Sequence, residues 1–539
     1  MPGQFRWLDL VVLVVYFLTQ LAMGPYFARR AKSTESYFVG NRSYPGWVLG
    51  ISMFGTSISS ISFVAYPADA FKTAYLRYLI CITLPVAILI ASVWVLPFFR
   101  RTHMTSAFEY LESRFGTGTR MYASLMFLFS QCIRVSLILF LVSTLVNALT
   151  GWSTTTCILV GGTVTAFYTV LGGIEAVIWT DFVQSIVLTV GGLLVLIAVL
   201  WKMPGGIATV FQVAVQDSKF ILGDPDPITK QLTHAPVFPR SLGEIWNTKT
   251  VAMLILYGFF NWMTEYSSNQ NVVQKYCAAK SIKDARRAMW INCLCSLPTW
   301  TYFMFLGTSL YVFYKVNPDP EVAKMLSGER KAEEVLSYFV SSNMYQGISG
   351  IVIAGVLAAA MSSLSSSINA ISAVSVTDIY KRHLKKGRTD EHYVRVAKSI
   401  SLASSLIMIG GAYWLSQAES MTLQDTATKL NSISAGGLLG LFMLGFLTVR
   451  GDGRAVFIGI MFTLVFSTAI SLYELKVLAS LWPALHGFIA KNFDTYYTTI
   501  LGNFVMFFMG YFMGAMLPKR ERDLTNLTVW TQDETRPAT

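Results

Sequence analysis

The chain has 539 residues, 53% of them apolar and only 13% charged. Soluble proteins average about 25% charged residues, so an ordinary water-facing surface is excluded and a lipid-facing one is expected. The net charge of +12 would suit a nucleic-acid binder in a soluble chain. Here it falls in short loops between apolar runs, as the positive-inside rule of membrane proteins requires, and nucleic acid is not an expected partner.

A bilayer core of about 30 Å needs about 20 helical residues to cross it. That window predicts about thirteen spans, at 7–28, 46–70, 76–99, 121–149, 153–172, 175–201, 248–270, 285–315, 346–380, 393–417, 427–449, 453–474 and 494–518. The runs are continuous rather than alternating, which argues for helices and against a barrel. The first run, Trp7 to Phe27, is too long for a signal-peptide core and reads as a retained span. The expected organisation is a single transmembrane domain over 1–539. An extra helix at 7–28 precedes five-helix halves at 46–201 and 248–449, and two further helices at 453–518 precede a tail at 519–539.

Placing the N-terminus outside puts more than half of the 42 Lys and Arg in the inner segments 29–45, 100–120, 271–287, 381–398, 450–454 and 519–539. The C-terminus is then cytoplasmic and the protein sits in the plasma membrane, which is the inner membrane in a Gram-negative bacterium. The stretch Ser106 to Gly116 is amphipathic and too polar to span, so it is expected as a short helix at the inner surface. The polar tail from Lys519 is expected to be a loose end. The six cysteines, Cys81, Cys132, Cys157, Cys277, Cys293 and Cys295, lie in or beside apolar runs and read as free thiols.

Two spans carry too many polar groups for regular lipid-facing helix. The second contains Gly55, Thr56, Ser57, Ile58, Ser59, Ser60, Ile61 and Ser62; the seventh contains Asn261, Trp262, Thr264, Glu265, Ser267, Ser268, Asn269 and Gln270. Five spans separate their starts. That spacing matches two five-helix halves of opposite topology, each opening with a broken helix. Unwound backbone is tolerated at membrane depth only where it lines protein or water, so the two segments mark a binding site near the midplane.

In the ninth span, Ser362, Ser365 and Ser366 share one helical face. Their hydroxyls are hard ligands for an alkali cation, although small side chains also serve close helix packing. Asp181 is an ionisable group in a span, hence either functional or at the membrane edge meeting water or a lysine. Arg134, within the fourth span, offers a fork to a substrate carboxylate. Its alternatives are an ion pair with Asp181 or Glu265, or a bond to a broken-helix carbonyl. Lys429 reads as a residue that snorkels to the outer surface.

The run Tyr168 to Asp181 (YTVLGGIEAVIWTD), the serine segment ending in Asn369 with Asp378, Ile379 and Tyr380 after it, the run Asn269 to Lys275 (NQNVVQK), and Ser106 to Gly116 occur in this order. Together they resemble the sodium:solute symporter family over about residues 5 to 518. The resemblance implies an all-α polytopic protein with a leucine-transporter-like inverted repeat of five plus five helices. It implies Na⁺ as coupling ion, a small polar solute, the bilayer as environment, no enzymatic activity and no obligate protein partner. A first sodium site would use backbone carbonyls of Gly55, Ile58 and Ala359 with the hydroxyls of Ser362 and Ser363. Many members have alanine where Gly55 stands, a change that a carbonyl ligand tolerates. A second site, present in some members, would use Asp181, Ser362, Ser365 and Ser366.

Matching positions in sialic acid symporters of the family assign Ser59, Ser62 and Arg134 to an acidic sugar. Thr56, Ser60, Gln131, Asn261, Trp262 and Glu265 are further lining candidates. Sialic acid or another sugar is the expected solute. An amino acid, monocarboxylate or vitamin, or proton coupling on the same fold, is the alternative. No metalloprotease, P-loop or nucleophile-elbow motif points to an enzyme.

Overall fold

In the computed structural model the described residues are 6–29, 33–101, 104–226, 231–241, 244–417, 437–474, 477–494, 496–518 and 523–531. Nearly all regular structure is helical, because an apolar segment without water must satisfy its backbone groups within itself. In chain order the helices that build the bundle are α1 (Trp7–Ala28), α2 (Thr34–Val39), α3 (Gly46–Ser57), α4 (Ser60–Lys72), α5 (Leu76–Arg100), α6 (Phe108–Phe115), α7 (Thr117–Thr150) and α8 (Thr154–Lys202). There follow α9 (Gly206–Gln216), α10 (Val251–Ser267), α11 (Gln270–Cys277), α12 (Ile282–Val316), α13 (Ile348–Val374), α14 (Asp390–Gln417), α15 (Leu438–Leu447), α16 (Gly453–Glu474) and α17 (Tyr497–Met516). A two-stranded antiparallel hairpin, β1 (Gly223–Pro225) and β2 (Leu232–His234), lies between α9 and α10.

Among the described residues, eight helices are long and apolar enough to cross a membrane, and the bent pair α3–α4 makes a ninth. Each predicted span overlaps a helix or a helix pair; 427–436, with Lys429, lies outside the described residues. The predicted spans 153–172 and 175–201 are the two arms of α8. A straight helix of 49 residues would be about 74 Å long, more than twice the apolar thickness. The chain turns at Gly173 (φ 59°, ψ −150°), where a Cβ would stand 2.7 Å from the Tyr37 carbonyl oxygen. The second arm of α8 packs on α13 at glycine: a Cβ on Gly355 would lie 3.1 Å from Val187 O and 3.4 Å from the Gly191 Cα. Backbones approach this closely only where side chains are absent.

Both polar spans are broken, as expected. Between α3 and α4 the chain leaves the helix at Ile58 (φ −95°, ψ 99°) and Ser59 (φ −89°, ψ 170°), and the flanking helices are bent by 55°. Between α10 and α11 the break falls at Ser268 and Asn269, and the Asn269 side chain accepts from Asn271 N to start α11.

Basic side chains cap the far end of each broken helix, where free carbonyls attract positive charge. Lys219 donates to Ala70 O (3.3 Å), Phe71 O (2.8 Å) and Thr73 O (3.0 Å) beyond α4. Arg100 donates to Cys277 O (3.0 Å) and Ala279 O (2.8 Å) beyond α11. At that same end Tyr44 N donates to Ala278 O, Lys280 N donates to Tyr44 O, and Gly46 N donates to the Asp284 carboxylate. The starts of α3 and α12 are thereby tied to the end of α11.

Two expectations need correction. Residues 271–277 are not a loop: they form α11, wholly buried, so Lys275 is not a loop charge. The short helix expected over Ser106 to Gly116 is α6, and it packs beneath neighbouring helix ends. Its Arg114 donates to Gly451 O and Thr448 O (both 2.8 Å), and Ser106 before it donates to Asp378 (2.7 Å). The tail is not loose over 523–531: Val529 N donates to Phe446 O (2.9 Å), Trp530 Nε1 to Leu447 O (2.7 Å), and the Tyr110 hydroxyl to Leu527 O (2.8 Å). Apolar Leu527 and Val529 supply what the polar composition concealed, a small face that packs on the core. All six cysteines are free thiols, four buried and two half-buried.

The Gly355 contact sets a stability test. Gly355→Leu should overpack the α8–α13 interface at a cost of about 1–3 kcal/mol, read as a lower melting temperature of the detergent-solubilised protein. Leu406→Ala, on the exposed face of α14, should leave that temperature nearly unchanged.

Candidate cation and solute site

The break at Ile58 turns the last carbonyls of α3 toward the serine segment of α13. Ser362 Oγ donates to Gly55 O (2.6 Å) and lies 3.3 Å from Ala359 O. Ser363 Oγ donates to Thr56 O (3.2 Å) and lies 3.4 Å from Ala359 O. Four of the five residues expected for a first sodium site thus bring hard oxygens together at one helix crossing, and the fifth, Ile58, is the break itself. All are buried. The donor set is neutral oxygen throughout, as suits an alkali cation. Among the described residues no cluster of three His, Cys, Asp or Glu could hold another metal ion.

Gly55 has a second reason to be glycine. A Cβ there would stand 2.5 Å from Ser185 Oγ and 3.1 Å from Asp181 O. The carbonyl would tolerate alanine, but the packing of α3 on α8 does not without a shift of Ser185. That hydroxyl already donates to Asp181 O (2.7 Å) and lies 3.1 Å from Ile51 O.

Asp181 is fully buried on the second arm of α8, which removes the reading of a carboxylate at the membrane edge in water. Ser365 Oγ donates to its Oδ1 (3.4 Å), and Ser366 Oγ (3.3 Å) and Ser52 Oγ (2.9 Å) donate to its Oδ2. Three members of the expected second set therefore meet. The fourth, Ser362, gives its hydroxyl to Gly55 O. Thr56 bridges the two groups: its Oγ1 lies 3.0 Å from Ser366 Oγ and 3.5 Å from Asp181 Oδ2. The lysine left open as a partner of Asp181 is Lys275 of α11, whose Nζ donates to Asp181 Oδ2 at 2.6 Å. Both side chains are at most 1% exposed. Sequence reading missed this role because Lys275 follows a short polar break and had been assigned to a loop. Its place in the polar run Asn269 to Lys275 was the available signal.

The solute candidates divide into three groups. Ser59 and Ser62 flank the break half-buried, and the hydroxyl of Ser59 does not cap α4. Buried Ser60 Oγ has no hydrogen-bond partner among the described residues. Arg134 is half-buried, and no described residue gives it a hydrogen bond or an ion pair. Its alternative partners are engaged elsewhere, Asp181 by Lys275 and Glu265 by the Asn269 amide (2.8 Å). The remaining candidates mostly have structural partners. Gln131 accepts from Asn271 (3.2 Å), and Trp262 donates to Ile80 O (2.9 Å) and packs on Trp300. Asn261 is half-buried one residue before Trp262. Ser267 Oγ, Asn271 Oδ1 and both amide atoms of Asn369, named in the sequence but not as lining residues, are buried without a partner among the described residues. Buried polar atoms are seldom left so. Asn369 sits one turn beyond Ser365 and Ser366.

The sequence profile of the sodium:solute symporter family matches residues 37–462. The sodium/sialic acid symporter SiaT of Proteus mirabilis is 32% identical, covering 86% of this chain and 89% of its own. The sodium/sialic acid symporter NanT of Aliivibrio fischeri is 29% identical over 95% of this chain and 94% of its own. A solved structure described as the substrate-bound outward-open state of a Na⁺-coupled sialic acid symporter with a novel Na⁺ site superposes with a TM-score of 0.81 at 29% identity. It covers 96% of this chain and 99% of that one. The fold is therefore the leucine-transporter-like helical one, and the molecule is a multi-pass membrane transporter, not an enzyme, with sodium as coupling ion and a small molecule as cargo. The chain belongs to the sodium:solute symporter family.

Proposed function

We propose that the chain imports sialic acid together with sodium across the plasma membrane, the inner membrane in a Gram-negative cell. The N-terminus faces outward, and the basic loops and the C-terminus face the cytoplasm. The observation that carries the reading is the oxygen cluster of Gly55, Thr56, Ala359, Ser362 and Ser363 at the break between α3 and α4. One sodium ion held there, with Ile58 O as a further ligand, joins the broken helix to α13. A second cation pocket is formed around Asp181 by Ser365 and Ser366, with Ser362 at its edge. The two breaks support inverted halves at 46–201 and 248–449, with the solute between them.

Arg134 supports an acidic solute. A guanidinium inside a span without a protein acceptor is costly, and a carboxylate supplies a bidentate partner. Ser59, Ser60 and Ser62 offer hydroxyls to the same carboxylate and the sugar. The similarity to both sialic acid symporters favours this cargo. A monocarboxylate is the second reading: Arg134 serves any carboxylate, and the human sodium-coupled monocarboxylate transporter 1 is 26% identical over 85% of this chain.

The driving force follows from the charges moved. Each sodium ion entering down a tenfold gradient contributes about 1.4 kcal/mol, enough for about tenfold accumulation of solute. The membrane potential adds about 2.3 kcal/mol per net charge per 100 mV. One sodium with one carboxylate carries no net charge, so only a second ion would recruit the potential.

Uptake into proteoliposomes should be seen for radiolabelled sialic acid and not for glucose, galactose, proline or lactate, and should vanish when choline replaces sodium. Uptake that persists in choline would refute sodium coupling, and preferred lactate uptake would establish the second reading. Arg134→Ala should weaken solute affinity roughly 10- to 100-fold, the worth of one charge-assisted hydrogen bond, in a binding assay on folded protein. Ser363→Ala should raise the sodium concentration for half-maximal uptake about tenfold, as loss of one ligand worth about 1.4 kcal/mol would.

A further inference from the structure

The Asp181 pocket already has a cation in it. The Lys275 ammonium has three N–H donors, and three oxygens surround it: Asp181 Oδ2 at 2.6 Å, Ser52 O at 3.0 Å and Thr56 Oγ1 in close contact. These are the oxygen types an alkali ion would use. Ser366 Oγ and Ser52 Oγ donate to the same Oδ2, so the carboxylate is fully engaged on that side. Only one negative charge is buried here, and it is matched by one positive charge. Among the described residues, no second carboxylate contacts Asp181 or Lys275.

We infer that Lys275 is a tethered counter-ion that excludes sodium from the Asp181 pocket, and that this residue sets the number of sodium ions carried per cycle to one. A sodium ion drawn to Asp181 would place a second positive charge beside an ammonium in a buried, weakly screening site. It would also have to compete for Thr56 Oγ1 and the Ser52 carbonyl. To admit the ion, Lys275 would have to leave, and α11 with it. That helix is buried over its whole length and pinned at its end by Arg100 and by the Tyr44–Ala279 bridge. The ammonium spans α11, α8 and α3, so it also fastens the second broken helix to the first. The inference rests on the proposal that Asp181, Ser365 and Ser366 form a cation pocket, and it assigns the occupant of that pocket.

The test counts sodium directly. Equilibrium binding of ²²Na⁺ to the purified full chain in lipid nanodiscs, without solute, separates ion stoichiometry from transport. Wild type should bind one ion per chain. Lys275→Arg should also bind one, because the positive charge remains. Lys275→Gln should bind two, because Asp181 is left in need of a cation, and the double variant Lys275→Gln with Asp181→Asn should return to one. The double variant contains no lone buried charge, so it controls for folding. Two ions on wild type, or one on a folded Lys275→Gln, would overturn the role of Lys275 while leaving the first site intact. No ion on wild type would instead overturn the sodium-site reading beneath it. Should Lys275→Gln fail to fold, the wild-type and Lys275→Arg counts still decide, since two ions on either contradict exclusion.

Discussion

A helix interrupted at membrane depth must find new partners for the backbone groups it frees, because lipid offers none. At Ile58 and Ser59 that requirement organises the centre of this protein. The carbonyls of Gly55 and Thr56 would be orphaned in an apolar bilayer, and the hydroxyls of Ser362 and Ser363 reach them from α13. The crossing is close where α13 presents small residues, Ser362 and Ser363 to α3 and Gly355 to α8. Polar satisfaction and close packing therefore depend on the same small side chains. A cation at the proposed site would take over oxygens that otherwise bond to one another, and would change how firmly the broken helix is held.

The second break is built differently. Ser268 and Asn269 interrupt the chain, yet α11 is short, wholly buried and fixed at both ends, by the Asn269 side chain at its start and by Arg100 at its end. It therefore delivers one long side chain, Lys275, to a defined point beside Asp181. The two breaks are related by position in the chain but serve distinct purposes. One gathers neutral oxygens and the other introduces a charge.

Charge placement elsewhere follows the same economy. Lys219, Arg100 and Arg114 each lie over two or three carbonyls at a helix end. Asp378 accepts from Arg120 (3.0 Å to Nε), Ser106 and Ser124. These groups are buried with partners, as burial demands. Arg134 is different among the described residues, and so are Ser60 and Asn369. Ser143, Trp300 and Ser337 also bury polar atoms without a partner among the described residues, so it is the place of Ser60 and Asn369 beside the break and the serine segment that sets them apart.

Much of this was legible in the sequence. Runs of about 20 apolar residues specify crossing helices. Hydroxyl- and amide-rich interruptions within such runs marked both breaks, since regular lipid-facing helix does not need them. The shared face of Ser362, Ser365 and Ser366 follows from helical periodicity alone, and the motifs in order named the family. What the tertiary structure decided is which partner each polar group takes. Lys275 lies 94 positions from Asp181 along the chain, and the polar run Asn269 to Lys275 marks it without showing which buried group it meets. Trp262, a lining candidate, gives its indole N–H to Ile80 O, 182 positions away along the chain. Within the polar tail, Leu527 and Val529 pack on the core over the described residues 523–531. Periodicity reports which residues share a face within one helix. Burial and pairing depend on which other helix covers that face, and that is settled only when distant segments meet.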